Sequence, residues 1–287
     1  MTGWSWSWRS CVALASQQQQ QFRLRKRRFK ITHHRLLGLA FLCSFFFFLF
    51  SPKIPRSPNT HQFADLRNLL GVPNTLNVIT NFPFLVVGVL GLVLALEGGF
   101  FSISYQAEVW TWALFYAGIT GVAFGSVYYH LKPDNNRVVW DTLPMMVACS
   151  SLFSSLIVER IGQRIGLCCM CALVFTAFTC VVYERIYDDT RLCLMFQLIL
   201  PLAIAVAAFV YPSNYTHSRY WFLSVGIYLL AKFEAIADRK LYRTNDYVIS
   251  GHSLEHLSLA LIPFLLSVML LYRERKFKRL GDLKDQL

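Results

Sequence analysis

Charge is what this chain has least of. Only 15% of its 287 residues are charged, while 55% are hydrophobic; a soluble domain carries about 25% charged residues. That imbalance excludes a disordered chain and an ordinary cytosolic enzyme. Acidic residues are the scarcer sign, 16 against 28 Lys and Arg. The resulting charge of +12 still does not describe a nucleic-acid partner, because the excess lies at the two ends, in Arg23 to Lys30 (RLRKRRFK) and Arg273 to Arg279 (RERKFKR). Basic clusters flanking apolar runs face anionic headgroups and set membrane topology. A disulfide framework is missing too. Of the eight cysteines, Cys43, Cys149, Cys168, Cys169, Cys171, Cys180 and Cys193 fall inside apolar runs, and Cys11 alone lies clearly outside. The CCMC string at 168–171 offers soft-metal ligands on paper, but small apolar fillers on a lipid-embedded helix account for it better.

What the chain does have is apolar runs with 24 Phe and 13 Tyr spread almost to the C-terminus. A membrane helix needs about 20 mainly apolar residues and satisfies its backbone internally. Seven stretches qualify: 76–97, 110–130, 139–158, 165–184, 192–211, 219–238 and 252–272. The expected fold is therefore all-α, a polytopic seven-transmembrane-helix bundle over 60–272, with links too short for a soluble domain. An eighth run, Leu36 to Phe50 (LLGLAFLCSFFFFLF), follows the basic cluster and reads as a signal-anchor-like segment over 36–52, since SPKIPRSP rather than an A-x-A-like cleavage site follows it. Residues 1–35, with their Gln run, read as a basic low-complexity tail, and 273–287 as a basic C-terminal tail.

Ionisable groups inside spans are functional candidates by default. The second stretch ends in GSVYYH, with Ser126 and His130 four residues apart. The third opens with VVWDTLPM, which puts Asp141 in its first turn. The seventh opens with SGHSLEHL, with His252 and His256 four apart. A spacing of four puts two side chains one turn apart on one face. The second helix runs towards the side from which the third and seventh start, so these residues share one depth. Taken singly each is weak: H-x3-H pairs arise by chance, Ser126 sits in a G-x3-G-rich helix, and Asp141 suits any helix N-terminus. Their coincidence, in a chain with seven histidines, points to a metal. Three imidazoles with an open position are the pattern of a catalytic zinc site.

These elements resemble the alkaline ceramidase family, within a wider superfamily of seven-helix membrane hydrolases that includes adiponectin receptors and GPI-remodelling proteins. The matching pieces are S-x3-H at Ser126 and His130, Asp141 with its LPM, H-x3-H at His252 and His256, and ADLRNLLGVPNTLNVITNFPF at 64–84, which resembles the family's lead-in to the first helix. The resemblance implies Zn2+ held by His130, His252 and His256, with Ser126 and Asp141 as catalytic residues acting on the N-acyl amide of a ceramide-like membrane lipid. It also implies a multi-pass protein of the endoplasmic reticulum or Golgi. A lipid esterase or GPI-remodelling phospholipase, or a receptor with structural zinc, would use the same metal geometry. Animal members carry an acidic calcium-binding stretch before the first helix. Asp65, Arg67 and Asn74 stand there in this chain, which speaks against calcium regulation.

Other polar groups read less distinctly. Glu234 and Asp238, beside Lys232, either support a zinc-bound histidine or form an interfacial ion-pair network. Asn77 and Asn81 read as helix–helix hydrogen-bond glue. Glu255, inside the H-x3-H, is expected about 100° round from the histidine face and is not placed like the glutamate of H-E-x-x-H.

If 36–50 spans, 17 Lys and Arg fall on the side of both termini and 10 on the other. The positive-inside rule then predicts cytosolic termini and a lumenal site. Asn214, in the only N-x-S/T sequon (Asn-Tyr-Thr), falls on the cytosolic side and is expected to carry no glycan. Protease treatment of sealed microsomes checks this: a C-terminal tag should be digested, and a protected tag or a glycan on Asn214 would reverse the orientation.

Overall fold

The computed structural model describes residues 50–56 and 62–275. The chain divides into two units, Met1–Pro52 and Lys53–Leu287. Of the first, only residues 50–52 are described, so the expectations for the tail at 1–35 and for nearly all of 36–52 lie outside the described residues. Residues 276–287 do so as well.

The second unit is helical, and a helix occupies each of the seven expected stretches. In chain order they are α1 (Thr75–Ile79), α2 (Phe82–Glu97), α3 (Gln106–Leu131), α4 (Val138–Arg160), α5 (Gln163–Tyr187), α6 (Arg191–Val210), α7 (Arg219–Ile236), α8 (Asp238–Thr244) and α9 (Gly251–Tyr272). Five are long and apolar enough to cross a membrane: α1 with α2 as one span, α4, α5, α6 and α9. The pair α7–α8 qualifies as a sixth, bent by 81° at its break. Length is not what keeps α3 from joining them, since it has 26 residues. It carries Glu108, two Trp and three Tyr, and 15 of its residues are buried among neighbouring helices. A helix enclosed by protein has little need of an apolar outer face.

Two departures from the expected boundaries bear on the site. The first stretch is broken at Thr80–Asn81, where Pro83 enters α2 without an amide donor and the Thr80 hydroxyl donates to the Leu76 carbonyl at 2.8 Å. The sixth ends at Ile236, and the turn into α8 carries Asp238 beneath the start of α9.

Small residues set the helix spacing. Hydrophobic burial does little to hold helices together in lipid, so close packing and interhelical hydrogen bonds do more of the work. Gly118, Gly121 and Gly125 line the face of α3 that meets α4. A methyl group at Gly118 would lie 3.0 Å from Ala148, and one at Gly125 only 1.8 Å from the Trp140 carbonyl oxygen. Gly88 and Gly91 of α2 are pressed against Thr120 and Tyr116 of α3 in the same manner. Around these contacts Phe84, Trp112, Phe115, Tyr116, Leu152, Leu156, Trp221, Tyr228 and Leu266 form the main apolar core. Four serines buried in α4 return their hydroxyls to their own helix: Ser150, Ser151 and Ser154 to carbonyls four residues back and Ser155 three back, so none of these four donors is orphaned. Outward, Phe124, Phe175 and Phe209 are 63–79% exposed, as lipid-facing side chains are.

A second polar cluster closes the opposite end. Arg273, the residue after α9, is 1% exposed. It lies 3.3 Å from Glu108 and 3.5 Å from Glu159 and donates to the Ser102 carbonyl at 2.8 Å, while the Tyr215 hydroxyl donates to Glu108.

The contact at Gly125 gives a direct test of the packing. Gly125→Ala must push α3 from α4, and overpacking of this kind costs about 1–3 kcal/mol. Thermal unfolding of the purified protein in detergent should show a lower midpoint; an unchanged midpoint would mean the helices are not held at this distance.

Candidate metal centre

Each expected residue arrives on a helix end at one depth. His130 closes α3, Asp141 stands in the first turn of α4, and His252 and His256 occupy the first two turns of α9. Ser126 lies one turn back from His130. The three histidines converge: one ligand nitrogen from each lies within 4.8 Å of the others, and no other such His, Cys or carboxylate group forms among the described residues. His130 is fully buried and His256 5% exposed. The imidazole centroids are 4.6–5.1 Å apart.

The partners of these rings indicate which nitrogens are free. Glu255 Oε2 lies 2.9 Å from His252 Nδ1; a carboxylate only accepts, so Nδ1 donates and Nε2 keeps its lone pair. Thr80 Oγ1 lies 2.9 Å from His256 Nδ1. The Thr80 hydroxyl, also 2.8 Å from the Leu76 carbonyl, ties this ring through Nδ1. His130 turns Nε2 towards His252 Nε2 at 3.3 Å, and its Nδ1 has no hydrogen-bond partner. Three imidazole nitrogens converging in one pocket are what a shared cation takes as ligands. The donor set, three neutral imidazole nitrogens, suits zinc.

Around the histidines lies a cavity of about 420 Å³. Ser126, Asp141, Thr142, Gln197, Lys232, His252, Glu255 and His256 form its polar wall, and Phe84, Val122, Met145 and Leu259 its apolar one. Asp141 is half-buried. Ser126 Oγ, buried, is within electrostatic reach of the Asp141 carboxylate but makes no hydrogen bond of good geometry. A second cavity of about 510 Å³ shares Met145 and Leu259 with the first and continues between apolar side chains such as Phe115, Leu152, Ile204 and Pro263.

The segment before α1 covers the histidines. Phe63 stacks on His252, with centroids 4.9 Å apart and planes 20° apart, and meets His130 edge-on at 4.6 Å. Asp238 ties this strap to α9: Oδ2 accepts from the Ala64 amide and Oδ1 from the His252 amide, both at 2.8 Å. Arg67 bonds both Asp65 and the Val248 carbonyl, and Asn74 donates to the His130 carbonyl at 2.8 Å. Burial raises the pKa of Asp65, but hydrogen bonds from Arg67 outweigh it and hold the carboxyl below its ordinary value of 3.8. The contact therefore stabilises the strap above that pH and is lost as pH falls through the lowered value.

Several residues were read differently in the sequence. Glu255 is the clearest correction. Three residues along a helix is 300°, only 60° short of a full turn, so Glu255 neighbours His252 and bonds its ring. Lys232 pairs with Glu255 at 2.7 Å, not with Glu234 or Asp238. Asn77 does form interhelical glue, accepting from Ser253 Oγ at 2.6 Å, whereas the Asn81 amide lies 3.4 Å from His256 Nδ1. Thr80 and Phe63 were not singled out. The polar string Asn77, Thr80, Asn81 on one face of an apolar helix was the available signal for Thr80; Phe63 had none.

Fold and site together define an all-α polytopic membrane protein whose buried histidine trio can hold a metal ion at one end of the helices. The ceramidase family pattern matches residues 72–273, from the turn before α1 to the buried arginine after α9. The chain belongs to the ceramidase family, and is therefore a hydrolase acting on the amide bond of ceramide, a membrane lipid. No curated protein matches the chain.

If the trio holds zinc, two imidazoles cannot keep it as three do. His130→Ala, His252→Ala and His256→Ala should each lose most bound zinc, measured as metal content of the purified protein. Wild-type zinc content in His252→Ala would remove the site.

Proposed function

We propose that this protein is a zinc-dependent hydrolase working inside the membrane, with zinc held by His130, His252 and His256 and with Ser126 and Asp141 as its catalytic residues. One observation carries the reading. Nitrogens of three imidazoles converge, and two of those rings, His252 and His256, line the same cavity as a carboxylate and a buried hydroxyl without a hydrogen-bond partner; Met145 and Leu259 are shared with a neighbouring apolar cavity. A purely structural zinc would need neither the serine nor the aspartate.

Zinc held by these residues would supply Lewis acidity and bring the pKa of bound water down towards neutrality. The protein's own groups do the rest. Asp141 takes a proton from the attacking water as its oxygen bonds to the acyl carbon. The Ser126 hydroxyl, free of other partners, donates to the oxyanion that develops on the former carbonyl oxygen. As the C–N bond breaks, Asp141 returns the proton to the departing nitrogen. The products are a fatty acid and a sphingoid base. The acyl chain extends past Met145 and Leu259 into the apolar cavity, which puts the amide level with the histidines and the headgroup towards Lys232 and Gln197. Phe63 covers the histidine rings and keeps bulk water from the reacting atoms.

This reading includes α3 as a crossing, enclosed by its neighbours, which makes seven spans. It places the protein in the endoplasmic reticulum or Golgi, with the site on the lumenal side; the basic clusters and the N-terminal apolar run support both.

Asp141→Asn should retain zinc and fold while losing about 10² to 10⁴-fold in ceramide hydrolysis, or about 3 to 5 kcal/mol at the transition state. Ser126→Ala should retain zinc and lose about 10² to 10³-fold. Metal content and hydrolysis measured on the same preparations test both, and full activity in Asp141→Asn would refute the mechanism.

A further inference from the structure

Among the three histidines, His252 is the one whose ring stands most open, with 19% of its side chain exposed to the cavity. It is also the one with a charged partner. His256 is steadied by a threonine hydroxyl and His130 Nδ1 has no partner at all, whereas His252 Nδ1 faces a carboxylate. Glu255 divides its two oxygens, Oε2 to His252 at 2.9 Å and Oε1 to Lys232 Nζ at 2.7 Å. Lys232 comes from α7, so three groups on two helices form one chain ending at the imidazole.

We propose that Glu255, braced by Lys232, is a positioning residue for the metal centre: its carboxylate holds the His252 ring with Nε2 turned towards His130 and His256. The proposal rests on the reading that the trio holds zinc. The His252 backbone is already fixed through its amide to Asp238, so the freedom left is rotation of the ring, and that is what a bond to Nδ1 removes. The same bond fixes the tautomer and makes Nε2 a better donor. A carboxylate in a spanning helix is costly unless a cation stands by it, and Lys232 supplies that cation without touching the histidine. The competing account is an ordinary interhelical ion pair with His252 as a bystander.

The two accounts part on removal of both charges. Breaking one partner of a buried pair destabilises a protein, but replacing both with apolar residues of similar size is often neutral. Full-length Lys232→Met/Glu255→Leu should therefore unfold near the wild-type temperature in detergent, yet give up zinc to a competing chelator about 10- to 100-fold more readily, the usual effect of losing such a support. Glu255→Gln, which keeps an acceptor but not the charge, should show a smaller loss in the same direction. Zinc retention equal to wild type in the double variant would reduce the pair to a structural bridge and overturn the proposal. His252→Ala separates the two levels. If it too keeps zinc, the metal-site reading has failed; if it loses zinc while the double variant does not, only the positioning role has failed.

Discussion

A polar side chain inside a bilayer must find its partner within the protein, and that constraint shapes this molecule from one end to the other. The interior of the helices is apolar or, as in α4, carries hydroxyls that bond their own backbone. Among the described residues, two clusters of strong polar groups stand at opposite helix ends. At one end lie the histidines with Glu255, Lys232, Asp238 and Thr80; at the other Glu108, Glu159, Arg273 and Tyr215. In both, side chains from several helices complete one another, so each cluster fastens the helices as well as serving as a polar site. The apolar cavity between them gives a hydrocarbon chain a place that needs no hydrogen bond.

Registration of the first cluster depends on contacts where side chains are missing. Gly125 brings α3 so near α4 that the backbone carbonyl of Trp140 fills the space a methyl group would occupy. Ser126 follows that glycine and Asp141 follows that tryptophan, so the distance between hydroxyl and carboxylate is set by main chain against main chain. Gly251 repeats the device where α9 begins, against the Glu234 carbonyl and Asp238, one residue before His252.

The sequence made the helices legible because each is a run of about 20 apolar residues, and it brought out Ser126, His130, His252 and His256 through a spacing of four at helix ends and Asp141 through its place in a helix's first turn. What it concealed came through contacts distant along the chain. Thr80, Lys232 and Asp238 meet α9 from three separate places, and no periodicity links them. The start of α3 lay four residues earlier than the apolar run indicated, since Gln106 and Glu108 look like loop residues until Arg273 stands beside the glutamate. Glu255 was within reach of sequence reasoning: a three-residue step places it one turn above His252. The 81° bend after Ile236 had no such signal.

The buried arginine also says where this bundle ends. Helix α9 ends at Tyr272, and a truncation guided by secondary structure would cut there. Such a chain would lack the guanidinium that Glu108 and Glu159 share, leaving two carboxylates in a dry interior with their shared cation gone; removing one partner of a buried pair costs about 3 to 5 kcal/mol. Arg273 also lies over the Tyr215 ring at 4.0 Å, and the next residues continue the attachment: the Glu274 amide donates to Thr216 Oγ1 and its carbonyl accepts from the Thr216 amide, each at 2.9 Å. The smallest unit that can fold as this one does therefore reaches past its last helix to residue 274, and a shortened or fused version has to keep that short extension.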